Sequence, residues 1–131
     1  MNVTKGSVIA EPWIGHILAG RKTWEMRSRA TTFRGPFGLI RKGSGTVVGV
    51  ARLAGVGTPL TPEEMIRTFE KHRIPDDMIR SGAVAKWNTP WILEDVRPLR
   101  EPVPYVHKPS AVTWVEFDAK VCAAIAAQLT R

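Results

Sequence analysis

The hydrophobic pattern of this chain changes period within its first thirty residues, and that change constrains the fold more than any other feature. Trp13, Ile14, Ile17 and Leu18 recur at helical spacing behind Pro12. Pro12 suits a first helical turn, where its missing N–H costs nothing, and Gly20 follows the last apolar position, where a left-handed cap is wanted. Residues 12–19 therefore read as a short helix. From Lys22 to Arg27 the period drops to two: Trp24 and Met26 alternate with Thr23, Glu25 and Arg27. That is the pattern of a half-buried strand, with the rings and thioether inward and the polar set on the other face.

The same style of short element continues. Ser7–Ala10 is a buried first strand, and 37–41 and 46–56 are two more, joined by the turn Lys42-Gly43-Ser44-Gly45. Thr61, Pro62 and Glu64 form a capping box before the apolar stripe Met65, Ile66 and Phe69. Pro75-Asp76-Asp77 starts a second helical turn. Residues 91–99 read as a strand ending at proline, 101–105 as irregular, and 111–117 as a last strand. Asp118 caps a terminal helix with Val121, Ile125 and Leu129 on one face. Short strands joined by turns, not crossover helices, predict the α+β class: a small mixed β-barrel with helices packed around it. The length of 131 residues fits one domain over 1–131, and the 44% hydrophobic and 24% charged composition is that of a globule.

The net charge of +7 is local. Residues 21–52 hold eight Arg and Lys against Glu25 alone, and the rest of the chain balances at eleven basic and eleven acidic residues. A localised basic excess is the footprint of a polyanion binder, with a merely solvated basic surface as the alternative. Other chemistries are disfavoured. His16, His72 and His107 have no partners at metal-ligand spacing, so neither a metal nor a cofactor is expected. The glycines lack the strand-loop-helix context of a phosphate loop. One cysteine, Cys122, makes no internal disulfide and lies in an apolar helical pattern, where it reads as a buried structural thiol. A reducing, cytoplasmic home follows as the simplest expectation. No stretch resembles a signal peptide or approaches a membrane span.

Lys22, Thr23, Glu25 and Arg27 place an amine, a hydroxyl, a carboxylate and a guanidinium within six residues. Arg27 can pair bidentately with phosphate, and Lys22 can serve as a point charge or, if burial lowers its pKa, as a base. Glu25 can hydrogen-bond a base edge or relay a proton, or simply pair with Lys22 or Arg27 as an ion pair. Five tryptophans are more than a core of this size requires. Trp24 and Trp114 sit inside apolar alternation as core residues. Trp13, Trp87 and Trp91 sit at element edges, where a ring can stack on a base for roughly 1–3 kcal/mol.

The segments Pro12-Trp13, Ile17 to Arg27, Arg34 to Ile40 and Val47 to Ala51 together resemble the ASCH domain of the PUA-like superfamily. The family pattern is Gly-x-Lys-x-x-Glu-x-Arg, then Arg-Gly before a strand and Val-Gly within the next. Pro104-Tyr105 to Trp114 resembles the family's closing loop and Trp strand. The resemblance spans roughly residues 7–117. It implies a cleft that holds RNA, a nucleotide or a modified nucleoside, lined by Lys22, Glu25 and Arg27, with Arg34 near enough to contact phosphate. Trp13, Arg21, Thr23, Trp91 and Ser110 complete the candidate binding set. If the chain is a metal-independent hydrolase acting on RNA or on an acylated nucleoside, Lys22 and Glu25 are its catalytic pair. Two departures matter. Members that remove an acyl group from a modified cytidine carry a threonine nucleophile where Glu25 stands, and Thr23, on the face of Glu25, is a weak substitute. Ser110 stands where the family usually has glycine. Strict alternation also puts Lys22 on the face of Trp24, so Lys22 reaches the cleft only if the junction at Gly20-Arg21 breaks the alternation.

Overall fold

The computed structural model describes residues 2–130, so Met1 and Arg131 of the expected 1–131 span lie outside it. The described residues form six strands and five helices, in the order β-α-β-β-β-α-α-α-β-β-α. Strands β1 (Lys5–Ile9), β2 (Trp24–Arg27), β3 (Gly35–Arg41), β4 (Thr46–Val56), β5 (Thr89–Pro104) and β6 (Val115–Glu116) form one sheet in the order β2-β5-β4-β3-β1-β6. β1 runs parallel to β3, and the other pairings are antiparallel. Helices α1 (Trp13–Leu18), α2 (Pro62–Arg67), α3 (Phe69–His72), α4 (Asp76–Arg80) and α5 (Ala119–Leu129) complete the α+β architecture. The sheet curls into a half-barrel, so the expected small mixed barrel with helices around it is present in open form. The physical reason lies at its ends: β2 has four residues and β6 two, and neither pairs with the other. No helix among the described residues is long and apolar enough to cross a membrane.

Several boundaries match the local signals. α1 ends just before Gly20, whose φ of 82° needs no Cβ penalty. Thr61 and Glu64 form the reciprocal capping box of α2, with Pro62 at its first turn. The Asp118 carboxylate accepts the Val121 N–H at the start of α5.

Three expectations are corrected. β5 does not stop at Pro98 but runs to Pro104, through the segment expected to be irregular. Its pairing jumps from Gly49↔Pro98 to Val47↔Val103, so the intervening residues form a bulge, and β2 covers only Thr89–Ile92 on the other side. A proline on an uncovered edge or at a bulge costs no ladder bond. The last strand shrinks from 111–117 to Val115–Glu116, because it borders only Lys5 and Gly6 of β1. Cys122 is half-buried, not buried, with its Sγ beside the Phe117 carbonyl.

The core has two large parts. Ile9, Ile14, Ile17, Phe37, Leu39, Leu53, Trp91 and Leu93 form the first, beneath α1. Val3, Ile40, Val47, Val50, Val103, Val121 and Ile125 form the second, beneath α5. A smaller cluster of Met26, Met65, Ile74 and Ile79 joins α2 and α4 to β2. That third cluster decides the site, because it brings the helical segment 62–87 over the polar strand.

Candidate functional site

A cleft of about 440 Å³ lies between β2 and the helical segment. That is within the range of roughly 300–1,000 Å³ typical of small-ligand sites. Its charged lining residues are Lys22, Glu25, Arg27 and Lys42, and its other walls include Trp13, Met26, Ile74, Met78, Val84 and Trp87.

Lys22 is 1% exposed and lies just before β2. The Gly20 turn frees it from strand alternation: the Arg21 and Lys22 N–H groups both donate to the His16 carbonyl as α1 ends. Its Nζ donates to the His72 carbonyl at 2.8 Å, stands 3.7 Å from Glu25 Oε1 and lies over the Trp13 ring at 5.5 Å. The end of α3 holds this junction from outside. Thr23 N–H donates to the Lys71 carbonyl, and Arg73 Nε to the Arg21 carbonyl. His72 is fully buried; Nδ1 accepts the Ile74 N–H and Nε2 lies 2.6 Å from the Met65 carbonyl. The two contacts fit a neutral ring with its proton on Nε2. Burial, first of all, holds the His72 pKa below the ordinary histidine value.

Burial also pulls the Lys22 amine down to about 8, with the Arg27 charge adding to the effect and Glu25 opposing it. The ordinary value is 10.5, so keeping this ammonium charged inside the protein costs on the order of 3 kcal/mol.

Glu25 bridges the cations. Its second oxygen accepts from Arg27 Nε at 3.1 Å, so the ion-pair reading is the observed arrangement, with both partners engaged. Arg27 also donates from Nη2 to the Val8 carbonyl at 3.2 Å, and its guanidinium lies 4.9 Å from the Trp91 ring centre. Among the described residues its Nη1 has no hydrogen-bond partner, and the side chain keeps 18% of its exposure. Around a carboxylate whose two oxygens are each tied to a cation, the cleft therefore has the Lys22 ammonium and one oriented guanidinium edge, with the Lys42 ammonium also in its lining. An anion or a polar base edge suits such a site.

The other candidate residues scatter. Trp13 lines the cleft. Arg21 is exposed and donates to His16 Nδ1. Thr23 is exposed and outside the cleft walls. Arg34 folds back on its own loop, donating from Nη1 to the Thr31 and Phe33 carbonyls. Ser110 is exposed in the 105–114 connection and does not line the cleft. Trp91 is not at an element edge. It is 2% exposed within β5, stacked on Trp114, with Nε1 donating to the Arg29 carbonyl. Pro90 had suggested an element boundary there, but β5 already begins at Thr89 and pairs on both sides at Trp91. Trp24 and Trp114 are half-buried against the core clusters.

Sequence reasoning left Lys42, Ile74, Met78 and Val84 out of the site, and it named Trp87 as an edge ring able to stack without including it in the candidate binding set. Trp87 carried a signal, since it sits outside any regular element and stays 40% exposed with the Lys86 ammonium 4.7 Å from its ring. The apolar residues of 74–84 carried none, because only tertiary packing brings them over β2. Among the described residues no three His, Cys, Asp or Glu side chains gather as a metal-ligating group.

Comparisons with known proteins agree with this architecture. The crystal structure of ASCH from Zymomonas mobilis superposes with a TM-score of 0.71 at 15% identity, covering 94% of this chain and 93% of that one. Two point mutants of that protein give TM-scores of 0.70 and 0.67 at 13% and 15% identity, each covering 97% of this chain and 98% of the other. At such identities the likeness shows the fold alone. No curated protein matches the sequence. The pattern that defines the ASCH domain matches residues 8–103, close to three quarters of the chain, and the chain belongs to the ASCH domain family.

Proposed function

We propose that this protein binds RNA or a nucleotide, with one nucleotide unit held in the cleft around Lys22, Glu25 and Arg27. The observation that carries the proposal is that Lys22, Arg27 and Lys42 line one cleft together with Trp13 and Trp87. Cations beside aromatic faces are what a phosphate and a base require of a single site. The free Nη1 of Arg27 supplies a fixed donor for phosphate oxygen. Family membership points the same way, since ASCH domains are linked to nucleic-acid binding in general.

Isothermal titration with 5′-ribonucleotides and short RNA, at low and at physiological salt, tests the reading. Wild type should bind and lose affinity as salt rises, because phosphate contacts release counterions. Arg27→Ala, and the milder Lys42→Ala at an exposed position, should each weaken binding, the first by roughly tenfold or more. Wild-type affinity indifferent to salt and to both substitutions contradicts it.

A second reading, a metal-independent hydrolase of RNA or of an acylated nucleoside, draws on the contact between the Lys22 amine and Glu25 inside the cleft. Lys22 would stabilise a developing anion or take a proton, with Glu25 as its acid/base partner. Proton transfer by placed groups is worth roughly 10²–10⁴-fold. Turnover of RNA or N-acylcytidine that collapses in Glu25→Gln supports this reading; the absence of product in wild type leaves binding alone.

A further inference from the structure

A second concavity, of about 690 Å³, shares Arg27 with the cleft. The half-buried Trp114 lines it, and the buried Trp91 indole backs it in a stack with centres 5.5 Å apart and planes within 21°. The loop after β2 forms one rim, including Arg29, and Val112 and Thr113 form the other. Arg27 and Arg29 bring the only formal charges among its lining side chains, both positive. Arg27 is also the single residue that lines both concavities. Val112 is 95% exposed although it is aliphatic, and it stands directly on the groove's rim.

We infer that this groove is a second nucleotide subsite, so that the ligand is a single-stranded oligonucleotide that crosses over Arg27, with one unit in the cleft and its neighbour in the groove. The inference rests on the cleft reading above and extends it from a nucleotide to a strand. A single strand needs a cationic track for its backbone and aromatic or apolar surface for successive bases. Lys42, Arg27 and Arg29, the exposed or half-buried cations that line the two concavities, provide the track. The guanidinium of Arg27 is fixed by Glu25, Val8 and Trp91 between the two concavities, where the phosphate linking two units would pass. The groove is open and lacks a buried carboxylate like Glu25, so it should hold its unit by stacking and charge with little choice among bases.

The test is titration of the full chain with the four 5′-ribonucleoside monophosphates and the four homopolymeric RNA tetranucleotides. Wild type should bind its preferred tetranucleotide at least tenfold more tightly than the matching monophosphate, about 1.4 kcal/mol. Arg29→Ala and Val112→Asp change exposed side chains, so both should fold as wild type does. Each should bring tetranucleotide affinity to within about threefold of the monophosphate while leaving monophosphate affinity unaltered. A tetranucleotide that binds no better than its monophosphate, or one whose advantage survives both substitutions, overturns the second subsite and leaves the cleft reading intact. Failure of every monophosphate and every tetranucleotide to bind overturns both.

Discussion

At the scale of single residues, Lys22 carries the account. A buried ammonium is retained although its pKa falls to about 8, and such a cost is a common mark of functional sites. The stability this group contributes is fully present above its unfolded value of 10.5 and is lost as pH falls through about 8, so at neutral pH the folded protein bears the penalty. The binding consequence has the opposite slope. Below about pH 8 the ammonium is available to an anion, and above it the charge leaves. Nucleotide affinity should therefore fall by roughly tenfold between pH 7 and pH 9. Lys22→Arg keeps its charge throughout and should show a flat profile, whatever its absolute affinity. Titrations at pH 7, 8 and 9 check this, and a flat wild-type profile means that the ammonium does not meet the ligand. The sequence showed that Lys22, Glu25 and Arg27 lie close together. It did not show that Lys22 leaves the strand's alternation, which depends on the left-handed Gly20 and on two N–H groups sharing the His16 carbonyl.

At the scale of elements, the legible parts are those with a local chemical signature. The bounds 46–56 of β4, the capping box of α2 and the Asp118 cap of α5 were all readable from neighbouring residues. The illegible parts depend on distant partners. β5 passes through Pro98 because β4 shifts register there and β2 leaves that edge uncovered, and neither fact is local to Pro98. β6 is short because β1 offers it two residues. Trp91 is buried because its strand pairs on both sides, whereas Trp87, four residues earlier, is left in the cleft wall. The parallel pairing of β1 with β3 depends on close packing that only small residues permit. Gly6 pairs with Gly38, and a Cβ on Gly6 would lie 2.6 Å from the Phe117 ring and 2.9 Å from the Gly38 carbonyl oxygen. Gly6→Ala should destabilise the protein by roughly 1–3 kcal/mol in urea unfolding. Gly6 lines neither concavity, so mononucleotide affinity should remain that of wild type wherever the variant is folded. A variant as stable as wild type shows that the ring and the strand yield more easily than this packing implies.

At the scale of the molecule, the curled sheet brings a basic segment near the N-terminus under an apolar helical segment from the middle of the chain. Of the eight basic residues in 21–52, Lys22, Arg27 and Lys42 line the cleft and Arg27 and Arg29 the groove, while Arg21, Arg34, Arg41 and Arg52 line neither. One side of the cleft was visible in the sequence, because Lys22, Glu25 and Arg27 are neighbours. The other side comes from residues about fifty positions later, Ile74, Met78, Val84 and Trp87, whose apolar character equally describes a buried core. The tryptophans provide built-in reporters that separate these places. Trp13 and Trp87 line the cleft, Trp91 and Trp114 line the groove, and Trp24 packs against the small cluster beside β2. The central claim, a nucleotide unit held in the cleft, is tested most directly by ¹H–¹⁵N spectra of the five indole N–H groups during titration with a 5′-ribonucleoside monophosphate. The account predicts that the Trp13 and Trp87 signals move together with a saturating dependence on ligand, while the Trp91 indole, held by the Arg29 carbonyl, stays in place. Saturation that moves other indoles and leaves Trp13 and Trp87 unmoved, or no shift at millimolar ligand, would contradict it.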